Sequence, residues 1–168
     1  KVNFGVPDLS TFAMLGRNPA NPAPPGGHIG FSPIIPRTGE AVLEYSRFYT
    51  ENLAEVSEGG TLRFVGPIFM TNWERSMVAM IMFPIGRDKV MNGRMRSAFE
   101  KWVHLAAERG WAEYRAPAGF QDLCAKTYSF NNHALTRLRE TIKDAVDPNG
   151  ILSPGRYGVW PRHLRKGR

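Results

Sequence analysis

Apolar positions along the chain change period several times, and each change marks an element. The run HIGFSPII, His28 to Ile35, is short and apolar, which predicts a buried strand. From Thr38-Gly39-Glu40 onward, Val42, Tyr45, Tyr49, Leu53 and Val56 recur at three- and four-residue steps, which predicts an amphipathic helix stopped by Gly59-Gly60. Residues 61–70 (TLRFVGPIFM) read as a strand. Residues 76–84 (SMVAMIMFP) are continuously apolar and read as a second strand, buried on both faces and joined to the first by a short hairpin. Asp88 opens a second helix running to Arg109, with Met91, Met95, Phe99, Trp102 and Leu105 on one face and Gly110 at its end. The methionines Met77, Met80, Met82, Met91 and Met95 read as core.

A short extended piece, WAEYR, follows. The resulting β-α-β-β-α-β order is the split βαβ, ferredoxin-like arrangement. It predicts an α+β fold: a ferredoxin-like antiparallel sheet with covering helices on one side. Beyond Arg115 the pattern becomes helical over 118–127 and 132–146, with Asn131 or Asn132 as the N-cap of the second helix. Leu135, Leu138, Ile142 and Val146 form its apolar face, and Asp147-Pro148-Asn149-Gly150 ends it with turn chemistry. The closing ILSPGRYGVWP has no periodicity and is expected on a surface, as a small helical C-terminal segment winds down.

Composition narrows the class. A chain of 168 residues that is 42% hydrophobic carries enough apolar material for one compact domain. No stretch approaches the roughly 18 uninterrupted apolar residues of a membrane span, and Lys1 to Ser10 carry no signal-peptide pattern. The opening Val2-Asn3-Phe4-Gly5 reads as a cut inside a larger protein. Residues 16–27, with four prolines and three glycines, read as a loop. Cys124 is the single cysteine, so an internal disulfide is impossible and a cysteine metal site is not expected. The net charge of +7 raises the question of nucleic acid. Arg162, Arg165, Lys166 and Arg168 lie in the tail, however, and removing those four from 22 basic residues leaves 18 against 15 acidic. Such a tail reads as a solvated end. Neither a nucleic-acid nor a membrane partner is expected.

No Ser-His-Asp triad, HExxH, P-loop or GxGxxG is present, and the histidines are too scattered for a metal site. Three segments carry more: GGHIGFSPI (26–34), GWAEYRAPAGFQD (110–122) and AVDPNGILSPGRYGVWP (145–161). Together, in this order, they resemble the C-terminal part of the vanillyl-alcohol oxidase and 4-cresol dehydrogenase flavoprotein family, the eugenol-oxidase branch in particular. The similarity runs from about Val6 to Pro161.

The resemblance implies an FAD enzyme in which a cap domain covers the flavin. Residues 1–111 would be the second half of that cap, and residues 112–168 the return to the FAD-binding domain, whose N-terminal part would lie outside this chain. His28 matches the histidine that is joined covalently to the flavin 8α-methyl group. The 4-cresol dehydrogenase branch uses a tyrosine elsewhere. Tyr114 and Arg115 match the Tyr-Arg pair of the phenol pocket, where a hydroxyl donor and a guanidinium would stabilise a phenolate and the reduced flavin. Arg156 matches a basic residue near the flavin. Gly30 and Ser32 alternate with His28 and are expected on the same side of their strand. Phe64, Pro67 and Phe69 lie on the strand that supplies pocket walls, Phe69 foremost. The hairpin TNWER replaces a segment with paired histidines in vanillyl-alcohol oxidase, which leaves the phenol's substituent open.

The activity implied is oxidation of a para-substituted phenol by hydride transfer to flavin through a quinone methide. The electron acceptor would be oxygen, or a cytochrome c in a dehydrogenase. Family members form dimers or higher oligomers, and the cytoplasm is the expected compartment, with periplasm and peroxisome as alternatives. Two rival readings are a 2-hydroxy-acid flavin dehydrogenase of the wider superfamily and a non-catalytic ferredoxin-like binding domain.

Overall fold

The computed structural model describes residues 27–57, 67–71 and 73–165. Its elements run β1 (Gly27–Phe31), β2 (Pro33–Pro36), α1 (Gly39–Ser57), β3 (Ile68–Met70), β4 (Ser76–Ile85), α2 (Lys89–Glu108), β5 (Ala112–Glu113), α3 (Gln121–Thr127) and α4 (Phe130–Val146). Short 3-10 turns lie at Ala118–Phe120, Arg156–Gly158 and Arg162–Leu164. The expected strand at 61–70 is described only in its last part, and Phe64, Gly59-Gly60 and the proline-rich 16–26 lie outside the described residues.

β1 and β2 are one strand broken at Ser32. Both halves pair with β4 in one antiparallel register, from Gly27↔Ile85 and Phe31↔Ile81 to Ile34↔Val78 and Pro36↔Ser76. Pro33 brings no N–H to the ladder, and Ser32 faces the β5 side, where its N–H donates to the Glu113 side chain and its carbonyl accepts the Tyr114 N–H. β5 pairs with the outer edge of β2 through Pro33↔Glu113, and β3 pairs with the other edge of β4 through Phe69↔Ala79. The sheet therefore reads β5, β1–β2, β4, β3, with every neighbouring pair antiparallel, as the split βαβ order requires.

One face of this sheet is packed by α1 and α2. The odd positions of β4 (Met77, Ala79, Ile81 and Phe83) are buried there with Phe31, Ile35, Tyr45, Phe48, Phe99 and Trp102. Phe31 sits at the centre, edge-on to Trp102 at 5.5 Å and Phe99 at 5.8 Å between ring centroids. Such edge-to-face pairs add to the gain from burial. Helix α2 starts where Asp88 Oδ1 accepts the Val90 N–H at 2.8 Å. It stops at Gly110, whose φ of +74° suits a residue without a Cβ. Cys124 is buried.

The C-terminal segment departs from expectation in two places. Asn131, Asn132 and His133 all take left-handed φ (46°, 52° and 56°), so neither asparagine serves as a simple N-cap and right-handed helix begins only after them. The apolar face of α4 exists but is left largely uncovered by the described residues, Leu138, Ile142 and Val146 being 58%, 52% and 68% exposed. The Asp147 turn is firmly built. Lys143 pairs with Asp147 at 2.5 Å, and the carboxylate accepts the Ile151 and Leu152 N–H groups at 2.9 Å each. Those donors hold the Asp147 carboxyl below the usual range. Arg165 grips Asp144 at 2.7 Å and ties the final turn back to α4.

Among the described residues no helix is long and apolar enough to cross a membrane, and no group of three histidine, cysteine or acidic side chains is placed to hold a metal. Phe31 is fully buried, so Phe31→Ala should lower the unfolding free energy by about 3–5 kcal/mol, read as a shifted midpoint in urea denaturation.

Candidate functional site

A strand has two faces, and the one turned away from α1 and α2 carries polar chemistry. Along β1 and its break the outward positions are His28, Gly30 and Ser32. Along β4 they are Met80 and Met82, with Met82 directly across from Gly30. A cleft of about 330 Å³ opens over this face. Its remaining wall comes from the segment after β5 (Arg115, Ala116, Pro117 and Ala118), from Gln121 and from Arg156. Segments distant in the chain thus place one imidazole and two guanidinium groups around a floor of glycine and methionine. A Cβ added at Gly30 would meet nothing nearer than Ser32 Oγ at 3.6 Å. The glycine therefore keeps the floor flat rather than relieving a clash.

Two buried polar side chains fasten these walls. Glu113 Oε1 and Oε2 accept the Ser32 N–H at 3.0 and 2.8 Å, which ties the His28 strand to the Arg115 segment. Burial pushes the Glu113 carboxyl up to about 7, against the N–H donors of Ser32 and Arg115 and the Arg115 charge, which pull it down. Gln121 donates from Nε2 to the Ala116 carbonyl at 3.3 Å and accepts the Tyr157 N–H on Oε1 at 2.9 Å. It thereby ties the Arg115–Ala118 wall to the turn that carries Arg156.

Of the residues singled out in the sequence, the structure brings His28, Gly30, Ser32, Arg115 and Arg156 to one cleft. Tyr114 is not among its lining. That side chain lines an adjoining cavity of about 220 Å³, shared with Glu113, Cys124, Tyr128, Arg139 and Tyr157. There Tyr114 is 43% exposed and its ring lies edge-on to Trp73 at 5.5 Å. Phe69 is not a cleft wall: it pairs with Ala79, points to the helix-covered face and packs edge-on against Tyr45 at 5.9 Å. Phe64 lies outside the described residues. The methionines divide by parity, Met77 and Met95 in the core, Met80 and Met82 in the cleft.

No family model matches the chain. Over 155 residues it is 26% identical to the 4-cresol dehydrogenase [hydroxylating] flavoprotein subunit of Pseudomonas putida, covering 92% of this chain and 27% of that protein. Among solved structures, the 4-ethylphenol oxidase of Gulosibacter chungangensis in its isoeugenol complex superposes with a TM-score of 0.73 at 32% identity, over 85% of this chain and 26% of that one. The p-cresol methylhydroxylase with substrate bound gives a TM-score of 0.74 at 26% identity, over 93% of this chain and 28% of that one. The chain is similar to one stretch of these proteins, the 4-cresol dehydrogenase flavoprotein subunit among them. It spans about a quarter of the length of these relatives.

Sequence reasoning missed Glu113, Gln121 and the Met80–Met82 floor. Glu113 left a readable signal. Trp111 and Glu113 share a parity along WAEYR, so an acid two residues from a core tryptophan had to point inward. Gln121 left none, because both its partners are backbone groups. Since Gln121 is buried, Gln121→Leu should strand the Tyr157 N–H and cost about 1–3 kcal/mol of stability. Thermal unfolding of the variant beside wild type measures this.

Proposed function

We propose that this chain is the cap half (residues 1–111) and C-terminal return (residues 112–168) of an FAD-dependent enzyme that oxidises para-substituted phenols. The observation that carries the reading is the shared cleft of His28, Gly30, Arg115 and Arg156 on a fold that superposes on two phenol-oxidising enzymes. The donor set fits a flavin edge and a phenol. A flat glycine floor lets a planar ring approach, an exposed imidazole offers a nucleophilic nitrogen, and two guanidiniums offset negative charge on reduced flavin or phenolate. When bound, the flavin supplies the hydride acceptor for the para-alkyl carbon, and water then adds to the resulting quinone methide.

This chain's own residues hold and orient. His28 would hold the cofactor, its imidazole nitrogen placed to attach at the flavin 8α-methyl group. Arg115 stabilises the phenolate electrostatically, and Arg156 guards the far wall. Gly30, Met80 and Met82 shape the space beside the para substituent, and the thioethers offer polarisable contacts to aromatic faces. Tyr114 lines the adjoining cavity, which shares Ala116 and Gln121 with the cleft, and supplies a hydroxyl donor toward the phenol. The N-terminal FAD-binding part of the same protein completes the site, and the exposed apolar face of α4 belongs against it. The protein works as a homodimer or higher oligomer in the cytoplasm, passing electrons to oxygen or to a cytochrome-type acceptor.

Acid precipitation of the flavin-loaded protein should leave the yellow chromophore on the polypeptide, and His28→Ala should release it. Release from wild type, or retention in the variant, overturns the covalent attachment. Arg115→Gln should lower kcat/KM for 4-ethylphenol by about 10²- to 10³-fold. Steady-state turnover of 2-hydroxy acids, with none of phenols, would assign the cleft to the other flavin chemistry.

A further inference from the structure

The cleft has a charge behind it that the reaction itself does not use. We infer that Glu113 is a positioning residue whose carboxyl, fastened to the Ser32 N–H behind the cleft, holds the His28 strand against the Arg115 segment and sets how strongly the cleft binds an aromatic anion. This deepens the phenol reading and rests on it.

The geometry carries the inference. Ser32 is the break between two halves of one strand, and on its β5 side its N–H donates to the two oxygens of Glu113, at 2.8 and 3.0 Å. Glu113 is itself buried, and its own carbonyl accepts the Tyr128 hydroxyl at 2.9 Å, so the strand that carries it is fixed from both sides. Arg115, two residues on, lines the cleft and interacts electrostatically with the same carboxyl. A negative Glu113 therefore offsets part of the positive charge the cleft presents, and a neutral one releases it. Desolvation moves its titration up to about 7, so both forms are populated near neutrality.

The other groups around it are accounted for. Arg115 and, across the adjoining cavity, Arg139 are cations. Tyr45 from α1 and Tyr128 after α3 are phenols raised by burial, and the Cys124 thiol of α3 is pushed up to about 12, so these three keep their protons through the neutral range. Tyr114 and Tyr157 complete that cavity. In the cleft itself the other titratable side chain is His28, and the Glu113 variant separates its contribution.

The sign follows from the acid's raised value. Below pH 7 Glu113 is neutral and Arg115 is unopposed, so anion affinity is high. Above it the carboxylate competes, and affinity falls. Calorimetric titration of benzoate into the flavin-loaded protein from pH 6 to 8.5 uses a probe that is a monoanion throughout. Wild type should weaken by about fivefold as pH rises through 7, the scale expected for one charge several ångströms away at intermediate dielectric. Glu113→Gln, which keeps an acceptor for Ser32 and cannot ionise, should hold its affinity near the low-pH value at every pH. The same fall in both proteins assigns the effect to a group other than Glu113 and overturns the inference while leaving the phenol reading intact. A flat or rising wild-type profile overturns the inference whether or not the variant folds. Purified protein that binds neither flavin nor benzoate at any pH overturns the phenol reading and this inference together.

Discussion

The constraint on which the rest depends is the two-sidedness of a single broken strand. From Gly27 to Pro36 the backbone keeps one register against β4, so every side chain is committed to one face or the other. Phe31 and Ile35 go inward to the aromatic core under α1 and α2. His28, Gly30 and Ser32 go outward to the cleft. A slip of one residue would exchange the two sets, burying an imidazole and a hydroxyl and exposing the ring at the centre of the core. Packing of Phe31 against Trp102, Phe99, Phe83 and Phe48 thus fixes the direction in which His28 points.

The break at Ser32 adds a second constraint. Buried backbone donors must find acceptors, and the Ser32 N–H finds its acceptor outside the β4 ladder, in the Glu113 side chain. That contact, together with the Gln121 bonds to Ala116 and Tyr157, draws three stretches remote in sequence around one opening. The electrostatic character of the site follows: guanidiniums at the rim, a carboxyl of raised affinity for its proton behind them, and a floor without polar groups. The names of relatives speak of cresol and ethylphenol, and the proposal for this chain builds on that likeness.

Much was legible from periodicity. The helices from Gly39 and Lys89, the β3–β4 hairpin and the split βαβ order all follow from apolar spacing and turn residues, because those elements bury one face against each other within the chain. The motif containing His28 and the Glu-Tyr-Arg run was equally plain. Less legible was anything whose partner is backbone, or whose cover is not set by spacing within its own segment. The apolar stripe of α4 predicted burial, yet Leu138, Ile142 and Val146 are exposed here. Amphipathic spacing reports that a face seeks cover without reporting what covers it. Asn131 and Asn132 read as cap residues, and the same short polar side chains equally tolerate the left-handed conformation they adopt.

By itself, then, the sequence determined the class of fold, the strand that bears the histidine and the chemical types available for a site, since these depend on local spacing and residue chemistry. The tertiary structure alone decided which of those residues meet. It put Arg115 and Arg156 with His28, turned Tyr114 into the neighbouring cavity and Phe69 into the core, and divided the methionines between two faces. The reason is physical: which wall a side chain joins is set by sheet pairing and by buried hydrogen bonds between distant segments, and neither has a signature in the order of residues along one segment.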